Sequence, residues 1–147
     1  MDLRELYQEI IIDHNRNPRH HHSMDNATNQ ANGFNPLCGD KLTVYMRVAH
    51  QVVQEISFVG CGCAISQASA SLMTDAIQGK TVSEAHALFQ QFHHMVTHDD
   101  PIPQLNTDKL AVLAGVRAFP ARVKCATLAW HTMDAALKHD TQTVATE

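Results

Sequence analysis

The stretch FVGCGCAISQASASLMT, residues 58–74, contains the change from a strand pattern to a helix pattern around which the chain is organised. Cys61 and Cys63 lie in the turn between the two patterns. Gly60 and Gly62 allow this turn backbone angles that other residues rarely adopt. A helix that begins just after Cys63 directs its unpaired N–H groups and positive dipole end at the thiols, so the sequence predicts a site that favours thiolates.

The strands before this stretch form a predicted antiparallel hairpin. Apolar residues alternate with polar ones over 42–48, and a second alternation over 52–59 puts Val52, Gln54, Ile56 and Phe58 on one face. A short connection at 49–51 joins the two strands. Because the two free ends of a hairpin lie side by side, we expect Cys38 to lie near the two cysteines of the turn.

Helices account for most of the remaining pattern, with a polar loop at 15–32. The predicted helices cover residues 1–15, 64 to about 79, a segment beginning at the N-cap Thr81, about 107–114, and a last helix that begins at Pro120. From residue 140 to 147 we expect a frayed, flexible tail. One helix, then a strand pair, then several helices favours an α+β fold with a small antiparallel sheet and flanking helices, in a single domain over 1–147.

Composition excludes two classes of partner. The chain of 147 residues has a formal charge of -4 and contains no basic run, which argues against nucleic acid. No stretch approaches the roughly 18 apolar residues of a membrane span, and the pattern at the N-terminus indicates an amphipathic helix rather than a signal peptide. We therefore expect a cytoplasmic protein without a membrane partner. In that compartment its four cysteines favour metal ligands or reactive thiols over disulfides.

The cysteines stand in positions that suit a metal site. Cys38 is followed by Gly39 and Asp40, and Cys125 lies off the apolar stripe of the last helix. Thiolates from Cys38, Cys125 and one or both cysteines of the central turn, with Asp40 as an oxygen ligand, suit zinc. The spacing leaves an iron–sulfur cluster open as the alternative, because the usual Cys-x-x-Cys pairs are absent.

A second cluster of metal-ligand residues is the run His20, His21 and His22 in the predicted loop. Consecutive residues of regular structure cannot all face one ion. Solvated loop histidines are also common, so we interpret this run as a polar loop segment.

At these residues the sequence resembles the U-type iron–sulfur cluster assembly proteins (IscU/NifU-like), and within them the SufU branch. The resemblance is almost full-length and rests on long motifs: LY…IIDH…NPR (6–19), NPLCGD (35–40), GCAIS…ASASLMT (62–74) and GV…FPARVKCATLAW (115–130). It implies a single domain of the SufE/IscU-like fold. It also implies that Cys38, Asp40, Cys63 and Cys125 bind one zinc ion, and that Cys38 accepts persulfide sulfur from a SufS-type cysteine desulfurase.

Two features bear on the branch. The resemblance gives scaffold proteins of the IscU branch a histidine before the last cysteine, where this chain has Lys124, and the long interval before Cys125 resembles the SufU insertion. Both favour a sulfurtransferase that supplies downstream iron–sulfur assembly machinery. Cys61, however, occupies the middle-cysteine position of IscU-like chains, so it remains the alternative ligand to Cys63. Arg122 is a candidate contact for the persulfide or the partner.

Two other functions use the same residues. The chain could be a scaffold on which an iron–sulfur cluster is assembled, or a non-catalytic module stabilised by zinc. The scaffold predicts bound iron and sulfide, and the module predicts an inert site whose metal is needed for folding.

Overall fold

The computed structural model describes residues 3–98, 110, 113–139 and 143–145. Its elements are α1 (Leu3–Arg16), β1 (Asn29–Asn35), β2 (Asp40–Ala49), β3 (Val52–Cys61), α2 (Ala64–Ile77), α3 (Val82–Thr97), a 3-10 helix (Leu113–Ala118), α4 (Pro120–Leu137) and β4 (Val144–Ala145). This confirms the α+β class. Within these ranges, no helix combines the length and the apolar character that crossing a membrane would need.

The predicted hairpin is present as β2 and β3. Ala49 pairs with Val52, and the two loop residues His50 and Gln51 have φ values of 54° and 64°, as in the turns that suit tight hairpins. The alternation predicted for β3 is correct only after Gln54. A β-bulge opposite Arg47 and Val48 shifts the register by one residue, so Val53 rather than Gln54 shares the buried face with Ile56 and Phe58.

β1 corrects the prediction of a loop through residue 32. It pairs antiparallel with β2 from Asn29 to Asn35, and its alternate residues are buried. These inward positions are Asn29, Ala31, Gly33 and Asn35, which carry almost no apolar signal. Small side chains are required there because α4 packs closely: a Cβ at Gly33 would overlap the Thr132 hydroxyl. A search for alternating hydrophobic residues therefore cannot detect this strand.

β4 corrects the prediction of a structureless tail. Val144 and Ala145 pair with Gly33 and Phe34 in parallel, which makes the sheet order β3-β2-β1-β4 mixed rather than wholly antiparallel. Two residues are too few to show a strand period. The pairing instead depends on α4, which returns the chain to the free edge of β1.

The helix starts follow the predicted signals. Cys63 is the N-cap of α2, Thr81 and Glu84 form a complete capping box on α3, and Pro120 is the first residue of α4. The predicted helix at 107–114 lies largely outside the described residues. Its last part belongs to the 3-10 helix, which continues through Gly115 to Ala118. The prediction that the helix ends at Gly115 is therefore wrong.

The helices cover one face of the sheet and enclose a continuous core. Trp130 of α4 stacks on Phe92 of α3 with ring centroids 4.4 Å apart, and its indole N–H donates to Ser69 of α2 (3.2 Å). The Ser69 hydroxyl donates in turn to the carbonyl of Ala126 (2.5 Å). Small residues along α2 allow this close helix contact, which fixes the N-terminal ends of α2 and α4 near each other.

Candidate metal and sulfur site

The first cysteine lies in the turn between β1 and β2. Gly39 has a φ of 73°, in the left-handed region that favours glycine, and its N–H donates to the carbonyl of Asn35 (2.8 Å). The turn leaves Cys38 exposed, while Asp40 begins β2 as a fully buried residue. One tight turn thus places an exposed cysteine two residues before a buried carboxylate.

Cys61 and Cys63 have different surroundings. β3 ends at Cys61, which pairs with Lys41 and is exposed. Cys63 instead caps α2: its sulfur accepts the Ser66 N–H (3.4 Å), and its own N–H donates to Asp40 Oδ1 (2.8 Å). The expected helix terminus therefore acts on Cys63, whose sulfur lies 3.9 Å from Asp40 Oδ2.

Cys125 reaches the same place from the second turn of α4. It is buried, and its sulfur lies 3.2 Å from that of Cys38. Ligand atoms of Cys38, Asp40 and Cys125 all lie within 4.8 Å of one another. Of the residues named from the sequence, the fold brings these three together with Cys63 beside Asp40, and it leaves Cys61 at the strand end.

Asn35 is a central residue of this cluster, although no pattern in the sequence assigned it to the site. It is fully buried, and its side-chain amide N–H groups point toward Asp40 Oδ2 (3.3 Å) and Cys125 Sγ (3.5 Å). Its Oδ1 accepts the N–H of Leu37 (3.2 Å), which holds the turn. The sequence does contain a signal for this role, because Asn35 precedes Pro36 and lies five residues before Asp40. Asn side chains in such turns commonly accept a hydrogen bond from the backbone two residues further on.

The electrostatics of the cluster favour a cation. Burial raises the pKa of the Cys125 thiol well above its usual range, and contacts with Cys38, Asp40 and Cys63 raise it further. Several anionic groups this close are stabilised together by a metal ion. Two zinc-bound thiolates lie about 3.8 Å apart, so the Cys38 and Cys125 sulfurs, now 3.2 Å apart, would need to separate by only about 0.6 Å to accept zinc.

Arg122 lies in the first turn of α4, three residues before Cys125. Its guanidinium carbon is 4.5 Å from the ring centre of Phe119, which is half exposed. The pKa of the Tyr7 hydroxyl is raised by burial, lowered in part by the charge of Arg122, and raised by Cys63. Arg122 and Cys63 therefore share the environment of Tyr7.

The His20–His22 run does not gather around one point. His20 lies 3.6 Å from the Asp75 carboxylate, the His21 ring packs 4.9 Å from that of Phe58, and His22 contacts the carbonyl of Ser23 (2.9 Å). The backbone carbonyl of His20 accepts the N–H of Phe58 (3.0 Å). The segment therefore covers the edge of β3, with each ring directed to a different partner.

Fold and site together define an α+β protein with a candidate thiolate–carboxylate metal centre. The family model "NifU-like N terminal domain" matches residues 6–126, and the chain belongs to this family. The resemblance found in the motifs is thereby confirmed.

Named relatives carry two different descriptions. The chain is 40% identical over 137 residues to the iron–sulfur cluster assembly scaffold protein IscU of Streptococcus pyogenes serotype M1, covering 92% of this chain and 85% of the relative. It is 37% identical over 133 residues to the zinc-dependent sulfurtransferase SufU of Bacillus subtilis, covering 90% of each. A crystal structure assigned to the SUF-system scaffold of Fervidobacterium islandicum superposes with a TM-score of 0.80 at 32% identity, covering 90% of this chain and 97% of that one.

Proposed function

We propose that this protein is a zinc-dependent sulfur acceptor that takes persulfide sulfur from a SufS-type cysteine desulfurase in the cytoplasm and passes it to the iron–sulfur assembly machinery. The observation that carries the proposal is the unequal exposure of the cluster. Cys38 is exposed, whereas Asp40 and Cys125 beside it are 0% and 2% exposed. A sulfur acceptor needs one thiol that a partner can reach and other ligands that stay in place.

Cys38, Asp40, Cys63 and Cys125 would hold the zinc ion. Bound zinc would keep the Cys38 sulfur as a thiolate at neutral pH. Cys63 is the better fourth ligand because its sulfur and its N–H both lie against Asp40, while Cys61 is exposed at the end of β3. Three thiolates and one carboxylate suit a tetrahedral site.

Sulfur transfer is a displacement at the terminal sulfur of the desulfurase persulfide, with the Cys38 sulfur as the nucleophile. The thiolate attacks the terminal sulfur of the desulfurase persulfide, and a new S–S bond forms to Cys38. The bond between that sulfur and the desulfurase cysteine breaks, and its electron pair leaves with the desulfurase as a thiolate. No external oxidant or reductant is required, because one persulfide replaces another.

Arg122 would assist this step by contact with the persulfide or with the partner. Its guanidinium lies over the Phe119 ring at the start of α4, and its charge acts on Tyr7, as does that of Cys63. A cation in this position attracts the negatively charged persulfide toward Cys38. Its role predicts that Arg122→Gln slows transfer more than it changes zinc content.

The scaffold function is favoured by one finding, the similarity to the Streptococcus IscU over most of the chain. Lys124 before Cys125 favours sulfur transfer, because a lysine offers no ligand comparable to the histidine that the resemblance gives to scaffolds. Metal content separates the two: a scaffold purified anaerobically would be coloured and contain iron and sulfide.

The deciding experiment measures bound metal in untagged protein and then the stimulation of a SufS-type desulfurase. We expect about one zinc per chain, no visible absorption, and loss of stimulation in Cys38→Ala. Cys61→Ala is the matched control, since it removes an exposed thiol from the same end of the hairpin and should keep both zinc and stimulation. Loss of zinc in Cys61→Ala with retention in Cys63→Ala would reverse the ligand assignment, and zinc without stimulation would favour the inert module.

A further inference from the structure

Cys38 and Cys125 form a close pair of thiols. The Cys125 sulfur lies 3.2 Å from the Cys38 sulfur, although the two residues are 87 positions apart in the sequence. The S–S bond of a disulfide is about 2.0 Å long, so an approach of about 1.2 Å would bring the two sulfurs to bonding distance. Zinc ligation would instead hold them about 3.8 Å apart, so their contact is closer than a metal site requires.

The two thiols differ in their exposure to solvent. Cys38 is exposed in the turn between β1 and β2, whereas Cys125 in the second turn of α4 is 2% exposed. A small oxidant from solvent therefore meets Cys38 first, and Cys125 lies within contact of the oxidised sulfur. Redox-sensing cysteines commonly have this arrangement, in which an accessible thiol is oxidised and a neighbouring thiol then resolves the product.

The structure around the pair allows one thiol to move and holds the other. Cys125 belongs to a regular helix, and the buried Asn35 amide directs an N–H toward its sulfur at 3.5 Å. Cys38 is followed by Gly39, where an added Cβ would meet nothing within 4 Å, so the turn has open space around it. The approach of the two sulfurs therefore needs a shift of an exposed turn residue and leaves α4 in place.

We propose that Cys38 and Cys125 are a redox switch on the candidate site: in the metal-free protein a hydroperoxide oxidises them to an intramolecular disulfide, and a dithiol reductant reverses the reaction. The biological effect rests on the proposed function, because the disulfide removes the sulfur acceptor. It also removes two of the four proposed zinc ligands and leaves only Asp40 and Cys63. Zinc-bound protein resists the reaction, because both sulfurs are then metal ligands.

The oxidation consists of two displacements that balance without a further reactant. The Cys38 sulfur attacks one oxygen of the hydroperoxide, the O–O bond breaks, and the thiol proton leaves with the other oxygen, as water when the oxidant is hydrogen peroxide. Cys38 is then a sulfenic acid. The Cys125 sulfur attacks the Cys38 sulfur, the S–S bond forms as the S–O bond breaks, and the Cys125 proton leaves with the hydroxyl group as water. The two thiols have lost two electrons, which the peroxide has gained.

The test treats chelated, untagged protein with a small excess of hydrogen peroxide and counts free thiols by alkylation and mass spectrometry. We expect the four free thiols to fall to two, the mass to fall by two hydrogen atoms, and the digest to contain a linked Cys38–Cys125 peptide. Dithiothreitol should restore all four thiols and zinc binding, by thiol–disulfide exchange. Zinc-loaded protein should react at least about tenfold more slowly.

Two variants and a control locate the reaction. Cys38→Ser should form no intramolecular disulfide, and Cys125→Ser should accumulate a sulfenic acid on Cys38 that dimedone traps. Cys61→Ala is the matched control, since it removes an exposed thiol from the same end of the hairpin and should still give the linked peptide. Circular dichroism checks that Cys125→Ser is folded. If it is not, Cys38→Ser decides, because Cys38 is exposed.

Four results would overturn the proposal: survival of all four thiols, a linked peptide that contains Cys61 or Cys63, a disulfide only between two chains, or an equal rate with and without zinc. None of these readouts needs a desulfurase. A reversible Cys38–Cys125 disulfide in a protein that never stimulates a desulfurase would refute the sulfur-acceptor role and support the thiol chemistry. Stimulation without disulfide formation would refute the switch alone.

Discussion

The substitution Gly62→Ala should damage the candidate metal site without straining the backbone at residue 62. Gly62 lies between the end of β3 and the N-cap of α2, and its φ is outside the left-handed region. A Cβ built there would lie 2.6 Å from Asp40 Oδ1 and 3.1 Å from both Asp40 Cβ and Cγ. Real Cβ contacts essentially never fall below 3.0 Å, so the carboxylate must retreat by about 0.4 Å or more.

A displaced Asp40 carboxylate would weaken its hydrogen bond to Cys63 and the binding of zinc. Oδ1 accepts the Cys63 N–H at 2.8 Å, and a retreat from residue 62 lengthens this bond toward its limit. Loss of a buried hydrogen bond to a charged acceptor costs about 1–3 kcal/mol. Metal ligands must also be placed within about 0.2 Å, so zinc affinity should fall at least tenfold.

Competition with a chromophoric chelator measures the zinc affinity, and urea denaturation of the chelated protein measures the free energy of unfolding. Gly115→Ala is the matched control, because a Cβ there would meet only Tyr7 at 3.7 Å, an ordinary contact. If Gly62→Ala binds zinc as tightly as the unmodified protein, the assignment of Asp40 as a fixed ligand at this turn is wrong.

Three further predictions concern residues around and beyond the site. Asp40→Ala should fold and retain zinc on three thiolates, and sulfur transfer should change. It leaves the Cys63 N–H without its acceptor and the Asn35 amide with only the Cys125 sulfur, so the chelated variant should lose about 2–4 kcal/mol in urea denaturation. Thr81→Ala removes the capping box of α3 and should cost about 1 kcal/mol in the same assay, whereas Ser83→Ala in the same turn should cost far less. The chelated protein should lose stability as pH rises above about 8.5, the pKa of a thiol in the unfolded chain. The folded state raises the pKa of the Cys125 thiol, so ionisation of this thiol favours the unfolded chain. Cys125→Ala should reduce the dependence of the free energy of unfolding on pH in this range.

The hairpin and the helix starts were predictable because their signals are local. A capping box, a proline at the first helical position and an apolar alternation each specify structure within a few residues. The bulge at Gln54 was not predictable in this way, since one extra residue in β3 leaves both flanking alternations intact and changes only their phase.

β1 shows why the rest of the sheet was missed. Its inward positions are occupied by two asparagines, an alanine and a glycine, and each is explained by a distant contact rather than by its neighbours in sequence. Asn29 donates to the carbonyl of Ala136 (2.9 Å), Gly33 leaves room for Thr132, and Asn35 donates to Asp40. The strand is specified by α4 and by the site, so only the tertiary structure reveals it.

Cys61 and Cys63 are only two residues apart, but Cys61 ends a strand and Cys63 caps a helix. Had β3 continued, both thiols would have shared one face. Because the strand ends at Cys61, the next cysteine becomes the N-cap of α2, where the Ser66 N–H and the positive end of the helix dipole stabilise negative charge on Cys63 and, through the Cys63 N–H, on Asp40. Cys38 stands in a turn outside the described helices, so under the proposed function its thiolate depends mainly on the metal. Under that function, the ligands that the backbone stabilises would stay in place while the exposed Cys38 is released to the incoming sulfur.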